Sequence, residues 1–145
     1  YHYSEKDFGY KKSPFQSKKS VITKICFRLK KKNPDELSDR LKQIEESRKQ
    51  KGHFKYPCAG SVFKNNRKFG NPTGKIIDSL GLKGYRIGDA EISEYHANII
   101  VNKGHAKAKD VIKLINLMKQ KVKNKFDFDL EQEIILVGTW KNKEV

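Results

Sequence analysis

The apolar residues of this chain change period several times along its length, and that alternation constrains the fold more than any single motif. Residues 21–29 put Val21, Thr23, Ile25, Phe27 and Leu29 on one side and Lys24, Cys26 and Arg28 on the other, the two-residue period of a half-buried strand. Asn33-Pro34-Asp35-Glu36 then supplies a cap, a proline at the first helical position and early acids. Leu37, Leu41 and Ile44 follow at i, i+4 and i+7, which predicts an amphipathic helix over 34–49, packed on a sheet and ended by Gly52 and Pro57. A short strand or turn is expected at 60–63 and a loop at 65–72. A short helix is expected at 73–80, with Ile76, Ile77 and Leu80 on one face and Gly81 as its left-handed stop. Residues 85–102 read as two strands, or as a strand and a bent turn, the second piece over 97–101. A long helix opens at Gly104, with Val111, Leu114, Ile115, Met118 and Val122 at helical spacing, and 130–137 reads as a buried closing strand. The order β-α-β-α-β-β-α-β, without a repeat, predicts a single α+β domain with helices packed on one face of a mostly antiparallel sheet.

At 145 residues the chain suits one ordinary domain, able to bury a core without disulfide or metal staples. Its apolar runs fall far short of the roughly 18 residues that a membrane span needs, and the basic N-terminus carries no signal-peptide pattern. A soluble, cytoplasmic protein without a membrane partner is expected. The chain begins with Tyr1 and its first 20 residues read as chain in mid-course, which suggests a piece of something longer. Cys26 and Cys58 make neither a disulfide framework nor a zinc pattern, so no metal site is expected, and Cys26 reads as a packing residue of the first strand.

The net charge of +15 points first to nucleic acid. Of the 32 basic residues, however, 27 are Lys and 5 are Arg, and the lysines are spread over the whole chain. Arginine is the residue expected where phosphates or base edges are read bidentately. Nucleic-acid binding is therefore disfavoured. The charge alone sustains the alternative, a small basic RNA-binding α+β module without catalysis, and the aromatic signature of such modules is missing.

P-loop, dinucleotide-binding, zinc-protease and EF-hand motifs are absent from the sequence. His2, His53, His96 and His105 are scattered and read as structural or surface residues, with His96 half-buried and hydrogen-bonded at a strand entry. Two places could carry chemistry. In Tyr56-Pro57-Cys58-Ala59-Gly60-Ser61-Val62-Phe63-Lys64-Asn65, Gly60 allows a positive φ that aims the small hydroxyl of Ser61 into a cleft. The plainer reading is a turn before a strand, with Val62 and Phe63 in the core. Glu133 stands where the closing strand begins, and a carboxyl at the edge of an apolar interior suits proton chemistry. On its own it reads better as a solvated strand-end acid.

The run from Pro57 to Asn65 resembles the Ala-Gly-Ser-x-Phe-Lys-Asn-Pro signature of the UDP-N-acetylenolpyruvoylglucosamine reductase family, flavoenzymes that complete UDP-N-acetylmuramate for peptidoglycan. Gly74-Lys75-Ile76-Ile77-Asp78, Gly81-Leu82-Lys83-Gly84-Tyr85-Arg86-Ile87-Gly88-Asp89-Ala90, Ser93-Glu94-Tyr95-His96-Ala97-Asn98 and Val101-Asn102-Lys103-Gly104 resemble the same family's C-terminal domain, in the same order. Leu130-Glu131-Gln132-Glu133-Ile134 is similar to its Leu-Glu-Pro-Glu-Val segment. Phe8-Gly9-Tyr10-Lys11-Lys12-Ser13-Pro14-Phe15 is similar to the run that ends its FAD-binding region. Asn66 and Gln132 stand where the family usually has proline, and Lys11-Lys12 replaces an Arg-Asp pair.

The resemblance implies residues 1–19 as the end of the FAD-binding region and 20–145 as the substrate-binding domain. It implies FAD and NADPH as cofactors, UDP-N-acetylglucosamine enolpyruvate as substrate, and the family's N-terminal FAD domain as partner. Ser61 matches the family's proton-donating serine and Glu133 its catalytic carboxyl. Tyr10, Lys64 and Asn65 match substrate-contacting positions, and Arg48 the basic residue beside the diphosphate ligands. The family's catalytic arginine has no counterpart here, and the short stretch from Leu82 to Ala97 leaves no room for the extra tyrosine-bearing loop of one subtype.

Overall fold

The computed structural model describes residues 1–50, 52 and 55–140, so the reading of His53 lies outside it. The chain divides into two compact units, Tyr1–Pro34 and Asp35–Val145. In the first unit, around a 3₁₀ turn, Glu5–Asp7, exposed tyrosines meet half-buried phenylalanines: Tyr1 meets Phe15 edge-on at 5.1 Å between ring centroids, and Tyr3 lies 5.1 Å from Phe8. Residues 21–29 do not form the expected strand. Val21, Ile25, Phe27 and Leu29 are 64–87% exposed, and the segment has no ladder partner among the described residues. A strand needs a neighbour for its N–H and C=O groups, and alternation alone supplies none. Cys26, expected to pack, is exposed with it.

The second unit carries the α+β fold. Its elements are α1 (Pro34–Gln50), β1 (Cys58–Ser61), α2 (Thr73–Asp78), β2 (Arg86–Ile87), β3 (Ala90–Ile92), β4 (Ile99–Asn102) and α3 (Ala108–Phe126). The four strands form one antiparallel sheet in the order β1-β4-β3-β2. Ile99, Ile100 and Val101 of β4 are all buried, the signature of a central strand covered on both faces, and Ile92 pairs with Ile100 beside it. α3 packs on β2 and β3 through Leu114, Ile115, Met118 and Val122, each at most 1% exposed, and α2 packs on α3 through Ile76 and Ile77. Burying each such side chain contributes roughly 1.5–3 kcal/mol.

Three expectations need correction here. α1 forms where its cap and periodicity place it, but Leu37, Leu41 and Ile44 are 48–66% exposed, so its stripe is not packed on the sheet. α3 begins at Ala108 rather than at Gly104, because Asn102 Oδ1 holds the N–H groups of Gly104 and Ala106 at 2.9 and 3.0 Å in a turn of their own. The closing strand over 130–137 shrinks to one bridge, Phe63 with Gln132. Leu130 is buried, yet Ile135 and Val137 are 85% exposed, since among the described residues no strand pairs with the second half of the run.

Candidate functional site

The Gly60-Ser61 turn sits in a β-bulge. Cys58 pairs with Val101 and Ser61 with Ile99, so three steps along β1 match two along β4, and Gly60 takes φ +80° there. Positive φ is the conformation that glycine adopts without strain, and a bulge re-aims the side chain beside it. The strand is then fixed from both sides. Val62 N–H donates to Asn98 O at 2.8 Å, and the buried Asn98 side chain accepts from Phe63 N–H at 2.9 Å and donates to Phe63 O at 2.8 Å. On the other edge Lys64 N–H donates to Glu131 O at 2.9 Å and Glu133 N–H to Val62 O at 2.8 Å. Val62 and Phe63 are buried, as the core reading of that pair requires.

Ser61 and Asn65 line one side of an open cleft of about 330 Å³, whose other walls carry Lys75, Lys83, Tyr95 and His96. Asn65 also caps the next element: its Oδ1 accepts from Thr73 N–H at 2.9 Å, while the fully buried Thr73 donates its hydroxyl to Lys64 O at 2.8 Å. These two bonds pin α2, and with it Lys75, to the strand that bears Ser61. Lys83 Nζ lies 2.8 Å from Asp78 Oδ2, so the cleft holds two ammonium groups and one carboxylate. His96 is half-buried, as expected. Its ring lies against Gly74, where a Cβ would stand 2.8 Å from His96 Cε1, and its Nδ1 accepts from Asn98 N–H at 3.2 Å. In the neutral ring this places the proton on Nε2.

The structure thus brings Ser61 and Asn65 into one cleft. Glu133 is half-buried and reaches the same strand through its backbone bond to Val62, next to Ser61, without lining the cleft. Lys64 turns its ammonium to Glu131. Arg48 stands exposed on the last turn of α1, and Tyr10 belongs to the first unit, where it is 63% exposed. Lys75, Lys83, Tyr95, His96 and Asn98 received no ligand role from the sequence. Their signal lay in the Gly74-Lys75, Leu82-Lys83-Gly84 and Tyr95-His96-Ala97-Asn98 segments, whose meeting at one cleft depends on tertiary packing. Among the described residues no group of three His, Cys, Asp or Glu side chains could hold a metal ion, and no helix is long and apolar enough to cross a membrane.

Residues 52–137 match the family model described as UDP-N-acetylenolpyruvoylglucosamine reductase, C-terminal domain. The chain belongs to this family. It is 39% identical to the UDP-N-acetylenolpyruvoylglucosamine reductase of Borrelia garinii subsp. bavariensis over 98% of its own length and 46% of that protein's. With the Fervidobacterium nodosum reductase the identity is 46%, over 90% of this chain and 42% of the relative. The crystal structure of the Thermus caldophilus reductase is similar at 38% identity and a TM-score of 0.54, over 73% of this chain and 37% of that one. The chain therefore spans less than half the length of these relatives. The family's C-terminal domain accounts for the sheet, α2 and α3, and four of the segments that resemble it, 57–65, 74–78, 81–90 and 93–98, contribute walls of the cleft.

Proposed function

We propose that the chain is the substrate-binding part of an FAD-dependent, NADPH-using reductase that converts UDP-N-acetylglucosamine enolpyruvate to UDP-N-acetylmuramate for peptidoglycan, in the cytoplasm. Residues 20–145 form this part and residues 1–19 the end of a flavin-binding region. The observation that carries the reading is the pair of ladders around 61–64, which set Ser61 on the wall of a lysine-bearing cleft and fix Glu133 beside Val62. Lys75 and Lys83 give that cleft cations suited to a diphosphate, Asn65 lines it as well, and the family resemblance assigns further substrate contacts to Lys64 and Tyr10.

FAD, held mainly by the N-terminal flavin domain with Arg48 exposed to meet its diphosphate, supplies when bound the hydride that NADPH provides. This chain's own task is the proton. Reduction of the enolpyruvyl double bond adds one hydride and one proton, and Ser61 Oγ–H delivers the proton and recovers another from solvent. A serine hydroxyl is a weak acid, so the completed site has to lower the barrier by geometry and hydrogen bonding rather than by acidity. Glu133 polarises the substrate carboxylate or enol, aimed by its bonded backbone.

Titration of the 145-residue chain with UDP-N-acetylglucosamine, followed by amide NMR, tests the reading. Shifts centred on Ser61, Asn65 and Glu133 are expected. Shifts confined to other surfaces, or none up to millimolar ligand, overturn the placement of the substrate site on this chain.

A further inference from the structure

Tyr95 is a wall of the cleft that the proton chemistry does not use, and it is held more firmly than an exposed tyrosine needs to be. It keeps 42% of its surface open and lines the same cleft as Ser61, Lys75 and Lys83. Its ring lies against Gly52, where an added Cβ would overlap the ring atoms and where φ is +66°. Its hydroxyl accepts from Lys55 Nζ at 2.8 Å, with the same ammonium 5.1 Å from the ring centroid. Its backbone N–H donates to Oγ of the buried Ser93 at 3.2 Å. The ring is thereby buttressed by Gly52 and Lys55 before any ligand arrives.

A flat aromatic face in a cleft that also holds the ammonium groups of Lys75 and Lys83, the latter paired with Asp78, suits a ligand with a planar ring at one end and phosphates next to it. We propose that Tyr95 is a stacking platform for the base of the nucleoside diphosphate and so determines specificity for the nucleotide half of the ligand. The inference rests on the cleft being the substrate site. Base–aromatic stacking is strong enough to be read by substitution, and a ring already immobilised loses little entropy on binding. The adjacent lysines take the phosphates, which leaves the ring the part of the ligand that carries no charge.

The experiment compares two ligands, UDP and N-acetylglucosamine 1-phosphate, on the 145-residue chain and its Tyr95→Ala and Tyr95→Phe variants by isothermal titration. Both ligands carry phosphate and only UDP carries a base. Tyr95→Ala is expected to weaken UDP roughly tenfold or more and to leave N-acetylglucosamine 1-phosphate unchanged, while Tyr95→Phe, which keeps the ring and loses the Lys55 bond, stays within about threefold of the parent for UDP. Equal loss for both ligands, or no loss for either, overturns the stacking role while leaving the cleft as the site. Failure of the parent chain to bind UDP at all overturns the placement of the substrate site, and the inference falls with it.

Discussion

α1 and α3 are both amphipathic helices of similar length in the same unit, and they have opposite fates. α3 lays Leu114, Met118 and Val122 on the sheet with none of the three exposed, whereas the stripe of α1, Leu37, Leu41 and Ile44, is about half open to solvent. Periodicity reports which face of a helix is apolar. It does not report what is available to cover that face.

The widest gap between the two helices is in what an alanine costs. Leu114→Ala leaves a cavity in the fully buried seam between α3 and the sheet and is expected to destabilise the unit by about 2–5 kcal/mol. Leu41→Ala in α1 removes a 66%-exposed side chain and replaces one good helix former by another, so urea unfolding is expected to change by no more than about 0.5 kcal/mol. Equal losses in the two variants would break the comparison and show that the α1 stripe is covered in solution.

The same distinction explains how much of the molecule was legible in the sequence. Ile99-Ile100-Val101 and the α3 stripe formed as read because each found a buried partner within the unit. Residues 21–29 carry an equally clear alternation and stay unpaired in any ladder and exposed, and 130–137 pairs only as far as Phe63 reaches. At the site, the positive φ of Gly60 and the core positions of Val62 and Phe63 were readable, because backbone freedom and hydrophobicity are local properties. The role of Asn98 was not. Its amide acts as a piece of strand for Phe63, 35 residues away in sequence, and nothing in its immediate neighbours marks it.

Asn98 therefore gives the second prediction, smaller than the cavity. Asn98→Ala leaves Phe63 N–H and C=O buried without their partner, at a cost on the order of 1–3 kcal/mol. Hydrogen exchange should locate the effect: faster exchange at Phe63 and its neighbours in 61–65, with α3 amides protected as before. Uniform acceleration over the whole unit would mean that the clamp serves the fold at large rather than the strand that carries Ser61.

The smallest effect is electrostatic and separates the anchored end of α3 from the open surface of α1. Asp89, in the turn between β2 and β3, accepts from His105 N–H at 2.7 Å and pairs with Arg86; first the backbone bond and then the guanidinium hold its carboxyl below the ordinary aspartate value. A carboxyl depressed on folding stabilises the native state above its unfolded pKa, near 4, and that contribution is lost as pH falls through the folded value. Asp89→Asn is thus expected to be less stable than the parent at pH 7, with the difference shrinking below about pH 4 and closing in stronger acid. In α1, Glu45 is lowered by Lys49, 2.8 Å away and one turn on, but both side chains are more than half exposed, and Glu45→Gln should move the curve less. A gap for Asp89→Asn that stays constant across the acid range would show that shape rather than charge ties the β2–β3 turn to the segment leading into α3, and would leave the two helices distinguished by packing alone.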